Sequence, residues 1–166
     1  MHSAPGVASI PRAHEYETRL EWTGAEATGT TDYAAYGRDY RVSVPGKPDL
    51  EGSADPMFRG SPDRYNPEDL FVAALSACHM LAYLALCARA GVGIVGYSDH
   101  ATGTLSFDGQ GGGRFESVTL RPVCMVADAA DAARALALHD TAHQRCFIAG
   151  SATTVVRHQA VVEVAP

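Results

Sequence analysis

From Leu70 to Cys87 the chain runs eighteen residues without a formal charge. Asn66 precedes the run as a favourable N-cap, and Pro67 suits the first helical position. Glu68 and Asp69 place negative charge at the positive end of the helix dipole. Arg89 falls in the last turn, and Gly91 is a natural stop. These signals predict one helix of about 36 Å. Leu70, Phe71, Val72, Leu75, Met80, Leu81, Leu84 and Leu86 surround its axis, so it must be enclosed on most sides, by a sheet and by a second copy of itself. The run also touches the length of a membrane span. Its alanine content, the polar Ser76, Cys78 and His79, and the lack of basic brackets favour the central helix of a globular fold. No membrane role is expected.

A chain of 166 residues is read as a single domain with a sizeable core, residues 1–12 forming a flexible N-terminus. The net charge of −6, with no offsetting basic block, argues against nucleic-acid binding. Met1 to Ile10 lack the basic and apolar regions of a signal peptide, so a cytoplasmic location is expected. In a reducing compartment the four cysteines are thiols or ligands rather than staples.

His14 to Trp22 alternate in a period of two, which predicts a half-buried strand. Tyr40, Val42 and Val44 predict another, ended by Pro45, Gly46 and Pro48. The proline- and glycine-rich stretch from Pro45 to Tyr65 reads as a long ordered loop. Strands are expected from Gly93 to Phe107 and from Phe115 to Val126. Val118, Leu120, Pro122, Cys124 and Val126 share one face of the latter. Asp128 caps a second helix, with Leu136, His139, His143 and Cys146 on one stripe. Thr153 to Val164 closes the chain as a strand, with Val156, His158, Ala160, Val162 and Val164 facing one way. Strands, helix, strands, helix, strand is an α+β order, with helices packed on mainly antiparallel sheet.

Cys78 in the first helix and Cys146 near the end of the second stand out, each close to a histidine. A thiol reacts as its thiolate, and burial raises a thiol's pKa. The dipole is of little help, since Cys78 lies about 16 Å beyond Pro67. A cation must come from elsewhere, with Arg38, Arg59 and Arg64 as candidates. His79 points about 100° away from Cys78 and is a poor direct partner.

Asn66-Pro67-Glu68 followed by Cys78, and then His143-x-x-Cys146, resembles the OsmC and organic hydroperoxide resistance superfamily from about Tyr16 to Val164. The resemblance implies an intertwined homodimer, an OsmC-like α+β fold with a long central helix, and a cysteine-based hydroperoxide reductase with active sites at the interface. Cys78 would match the peroxidatic cysteine and Cys146 the resolving one. Glu68 would match the glutamate that orients the active-site arginine. Arg38 in Tyr36-Gly37-Arg38-Asp39 best matches that arginine, with Arg59 and Arg64 left open. No metal or bound cofactor is implied, only an external dithiol, often of lipoyl type. The chain departs from the family pattern where Phe147-Ile148-Ala149 follow Cys146 and where His79 follows Cys78.

Other readings use the same residues. Cys78 and Cys146 could be inert core thiols, as Cys87 and Cys124 are read to be. Glu68 could serve the helix dipole alone, and His143 could be a packing histidine. A Cys2His2 metal set of Cys78, His79, His143 and Cys146 is disfavoured by the divergence of adjacent helical residues. A non-enzymatic dimeric module binding an apolar ligand between its helices is the alternative from a different class.

Overall fold

The computed structural model describes residues 13–27 and 29–166. The expectation for residues 1–12 lies outside the described residues. The chain divides into two compact units, Met1–Asn66 and Pro67–Pro166.

The first unit carries an antiparallel sheet of β1 (Arg19–Trp22), β2 (Tyr40–Ser43) and β3 (Leu50–Gly52) in that order. The strand expected from His14 is shorter and begins only at Arg19, which pairs with Ser43. Residues before it would have to pair beyond Ser43. There the chain already turns, with the Lys47 N–H bonded to the Val44 carbonyl and prolines at 45 and 48. Nor is β1 half-buried, because all four of its residues are exposed. The stretch read as a loop from Pro45 to Tyr65 contains β3 and a 3-10 turn at Pro56–Phe58. A three-residue strand is too short to show a period of two.

The second unit opens with α1 (Pro67–Ala90), unbroken and ending as expected. Gly91 takes φ +71°. Its N–H bonds to the Ala88 carbonyl, and the Val92 N–H bonds to that of Cys87. This is a Schellman end, which a residue without a Cβ enters at no steric cost.

Three long ribbons follow, and each breaks once. The first gives β4 (Ile94–Asp99) and β5 (Thr102–Phe107), the second β6 (Gly113–Leu120) and β7 (Pro122–Val126). The last gives β8 (Val155–His158) and β9 (Val161–Val164). The halves sort into two sheets, β4-β7-β9 and β5-β6-β8. Sheet pairing is mainly antiparallel, as expected, with β8 parallel to β6 and β9 parallel to β7 as the exceptions. The ribbons break because one flat sheet could not cover both ends of α1. Leu75 packs with Val118 and Leu120 over one sheet, and Phe71 and Val72 join them. Tyr83, Leu86 and Cys87 pack with Cys124 and Val126 over the other. Gly103 marks the closest approach of sheet and helix. A Cβ there would lie 2.7 Å from the Phe115 ring and 3.0 Å from Val72.

Asp99 holds the bend. Its carboxylate accepts from the Arg121 N–H at 2.6 Å and from the Ser76 hydroxyl at 2.5 Å, tying the middle of α1 to the break in the sheet. Hydrogen bonds to a charged group contribute about 1.5–3 kcal/mol. Asp99→Ala is therefore expected to lower unfolding free energy by about 2–3 kcal/mol in urea titration. A loss below about 0.5 kcal/mol would show that the bend is held by packing alone.

The five inward positions predicted on the second ribbon are all buried. Asp128 caps a 3-10 turn at Ala129–Asp131, and α2 (Ala132–Arg145) begins after it. The predicted stripe on α2 is corrected at Leu136, which is 48% exposed, while Ala135, His139 and Ala142 face the core. Cys146 is not in that helix at all. It leaves the helical region at ψ 109° and becomes the N-cap of a short α3 (Phe147–Ser151). On the last ribbon Val164 is exposed, unlike the positions from Val156 to Val162 that share its phase.

Within one chain α1 keeps an open face. Ala73, Ala77, Leu81 and Ala85 form an exposed stripe at four-residue spacing, with Leu81 62% exposed.

Candidate active site

The two thiols singled out by sequence meet in the second unit. Cys78 is partly exposed in the middle of α1, and Cys146 is buried at the N-cap of α3. They are not covalently joined. Cys78 lies near enough to act on the Cys146 thiol. The Ala149 N–H donates to the Cys146 sulfur at 3.5 Å. Burial pushes the Cys146 thiol up to about 11, and the neighbouring Cys78 adds to that rise. At neutral pH the buried Cys146 thus keeps its proton, beside a partly exposed Cys78. That asymmetry suits a pair in which the more accessible sulfur attacks and the buried one follows.

The remaining candidates sit elsewhere. Glu68 is on α1, ten residues before Cys78, about 15 Å along the axis of an unbroken helix. Arg38, Arg59 and Arg64 belong to the first unit. The Arg38 guanidinium lies 3.8 Å from the Tyr36 ring centroid and 4.7 Å from that of Tyr33. It also donates to the Tyr36 and Tyr33 carbonyls. Two rings and two carbonyls present its planar face in a fixed direction. Arg64 pairs with Glu51 at 3.1 Å and Asp39 at 3.6 Å. Arg59 takes the left-handed conformation at φ 69° and reaches the Ala34 carbonyl at 3.5 Å.

Cys87 and Cys124 are buried core residues, as read from sequence. Their thiols are pushed up by burial, that of Cys124 to about 11. His79 turns away from Cys78 into the core, where its Nε2 lies 3.0 Å from His139 Nδ1. No group of three or more histidine, cysteine or acidic side chains is arranged to hold a metal among the described residues. The sequence reading missed the company His79 keeps: His139, His158, Tyr83 and Cys124. The available signal was that His79 and Tyr83, and likewise His139 and His143, are spaced to share a helix face, while His158 points inward on its strand.

Residues 60–160 match the family model described as OsmC-like protein. The chain belongs to the OsmC-like family. An OsmC-like protein of unknown function from Vibrio cholerae is 28% identical, with a TM-score of 0.79 over 90% of this chain and 100% of that one. An organic hydroperoxide resistance protein from Elizabethkingia anophelis is 22% identical, with a TM-score of 0.63 over 92% of this chain and 99% of its own. A protein from Legionella pneumophila, described as an organic hydroperoxide resistance protein OsmC and predicted redox protein, is 20% identical. Its TM-score is 0.64 over 91% of this OsmC-like chain and 99% of its own. No curated protein matches by sequence.

Proposed function

We propose that this OsmC-like protein is a thiol peroxidase that reduces organic hydroperoxides through a two-cysteine cycle. The observation that carries the reading is the placement of a partly exposed Cys78 near a buried Cys146 that keeps its proton. The Cys78 thiolate attacks one peroxide oxygen and breaks the O–O bond. The alcohol leaves with a proton, and Cys78 becomes a sulfenic acid. The Cys146 thiol condenses with it, releasing water and forming a disulfide. An external dithiol, lipoyl-type by family resemblance, then reduces that disulfide by two exchange steps and is itself oxidised. Arg38 stabilises the thiolate and donates to the peroxide, and Glu68 orients it. No metal or bound cofactor enters the cycle.

The exposed stripe of α1 supports a homodimer in which each copy covers the other's Ala73, Ala77, Leu81 and Ala85. The cycle needs a reducing compartment, in keeping with a cytoplasmic location. The deciding experiment is stopped-flow loss of free thiol with cumene hydroperoxide beside hydrogen peroxide. Loss is expected with both, faster with the organic peroxide. Thiol loss no faster than that of free cysteine would overturn the peroxidase reading and leave apolar-ligand binding as its replacement.

A further inference from the structure

Four imidazoles that the proposed peroxide chemistry does not use are packed together in the second unit. His79 on α1 and His139 on α2 are stacked at 5.3 Å between centroids and almost parallel. His158 on β8 lies 5.5 Å from His79 and 6.0 Å from His139. His143, one turn along α2, lies 5.7 Å from His158. Tyr83 stacks on His139 at 3.8 Å. His79 is 1% exposed and His139 fully buried.

The polar contacts form a chain through the core. His139 Nε2 lies 3.3 Å from the Cys124 sulfur, and His139 Nδ1 lies 3.0 Å from His79 Nε2. In the neutral pair one of the two facing nitrogens carries a proton and the other accepts it. His79 Nδ1, at the far end of the chain of contacts, has no partner. One added proton can be taken at an outer nitrogen, His79 Nδ1 or His139 Nε2, and leaves that bond intact. A second places two N–H donors against each other across 3.0 Å, and the contact must open.

That contact joins α1 to α2, seven residues before Cys146. We propose that the His79–His139 contact within this cluster is an acid-released latch: uncharged, it clamps α2 to α1 and keeps Cys146 near Cys78; charged, it frees the C-terminal half of α2 and withdraws Cys146. The latch is a property of the fold. Its consequence for disulfide formation rests on the peroxidase reading.

The surroundings favour release on protonation. His79 and His139 are both lowered to about 4, by burial first and then by neighbouring imidazoles, His158 and His143 for His79 and His79 and His158 for His139. The groups facing the cluster are Tyr83 from α1, Cys124 from β7, Asp99 from β4 and Asp140 from α2. Asp99 raises His79 and Asp140 raises His139, but neither offsets burial. Asp99 is already bonded to Ser76 and the Arg121 N–H, while exposed Asp140 reaches His158 Nε2 at 3.1 Å. Both folded-state values lie below the ordinary 6.5. Stability from the neutral pair is therefore complete above about pH 6.5 and lost as pH falls toward about 4. With two protons taken up on opening, the opening constant rises by up to about 100-fold per pH unit.

The test is amide hydrogen exchange of the wild-type protein from pH 7.5 to 4.5, corrected for intrinsic exchange rates and read without peroxide. Protection of amides 138–146 is expected to fall by at least about 30-fold between pH 6.5 and 5, while Val118 to Leu120 stay protected. NMR titration of the imidazole ring nitrogens in the same samples should place His79 and His139 protonation at the pH where α2 loses protection. H79F/H139F should flatten the pH dependence. If that variant fails to fold, the wild-type titration still decides. Unchanged α2 protection, simultaneous loss at Val118 to Leu120, or imidazoles that titrate while α2 stays protected would each overturn the latch. A flat exchange profile in a working peroxidase sinks the latch alone; an opening α2 in a protein inert to peroxide sinks the peroxidase reading alone.

Discussion

One equivalent of organic hydroperoxide is expected to convert the wild-type protein to a form with Cys78 and Cys146 joined, seen as a single disulfide-linked peptide pair by mass mapping. The thiols are neighbours in the reduced protein, so closing the bond asks for adjustment to disulfide geometry rather than for refolding. Cys78→Ser should lower turnover by about a thousandfold or more, because a serine hydroxyl is not an appreciable nucleophile toward a peroxide at neutral pH. Cys146→Ser should still lose the Cys78 thiol at the first encounter. With no buried thiol to condense with the sulfenic acid, a second equivalent of hydroperoxide should carry Cys78 to the sulfinic state and leave as its alcohol, two oxygen atoms being added in mass in all. Cys87→Ala and Cys124→Ala should change stability and leave the first oxidation rate within about twofold, since both thiols are buried and hold their protons. Wild-type turnover in Cys78→Ser, or a linkage that involves Cys87 or Cys124, would remove the assignment.

Mixing two inactive variants should restore activity. α1 is continuous from Pro67 to Ala90, so Glu68 and Cys78 of one chain stay about 15 Å apart along a rigid axis. An arginine held by Glu68 cannot then also touch Cys78 of the same helix. In a two-fold dimer each Glu68 and its arginine would serve the partner's cysteine. Glu68→Ala should reduce kcat/KM by about a hundredfold, as the guanidinium loses its orienting partner. Equal mixing with Cys78→Ser, followed by subunit exchange, makes half the dimers mixed. Each mixed dimer has one intact site of two, so activity should recover to about a quarter of wild type. Recovery no greater than the sum of the separate variants would mean that each chain completes its own site.

Local chemistry decided much of this chain before any tertiary contact. The ends of α1 were legible because a proline after Asn66 and a glycine at 91 act within one turn. The inward face from Val118 to Val126 was legible because a period of two persists even where the strand bends. Cys78 and Cys146 stood out as a pair through motif spacing.

Tertiary packing decided the rest. The breaks near Ala101, Arg121 and Gln159 exist because two sheets must cover opposite ends of one helix, and no local residue pattern announces that demand. Leu136 faces outward and Ala135 inward because a 3-10 turn delays the start of α2 and resets its phase. Cys146 left the predicted stripe for the same kind of reason: the chain turns extended at that residue, which swings its sulfur toward Cys78. The histidine cluster is the strongest case. His79, His139 and His158 are far apart in sequence, and each alone reads as an ordinary core histidine. Their mutual distances and their shared loss of solvent arise only when α1, α2 and β8 close on one another, because burial and through-space charge depend on the packed neighbourhood rather than on chain order.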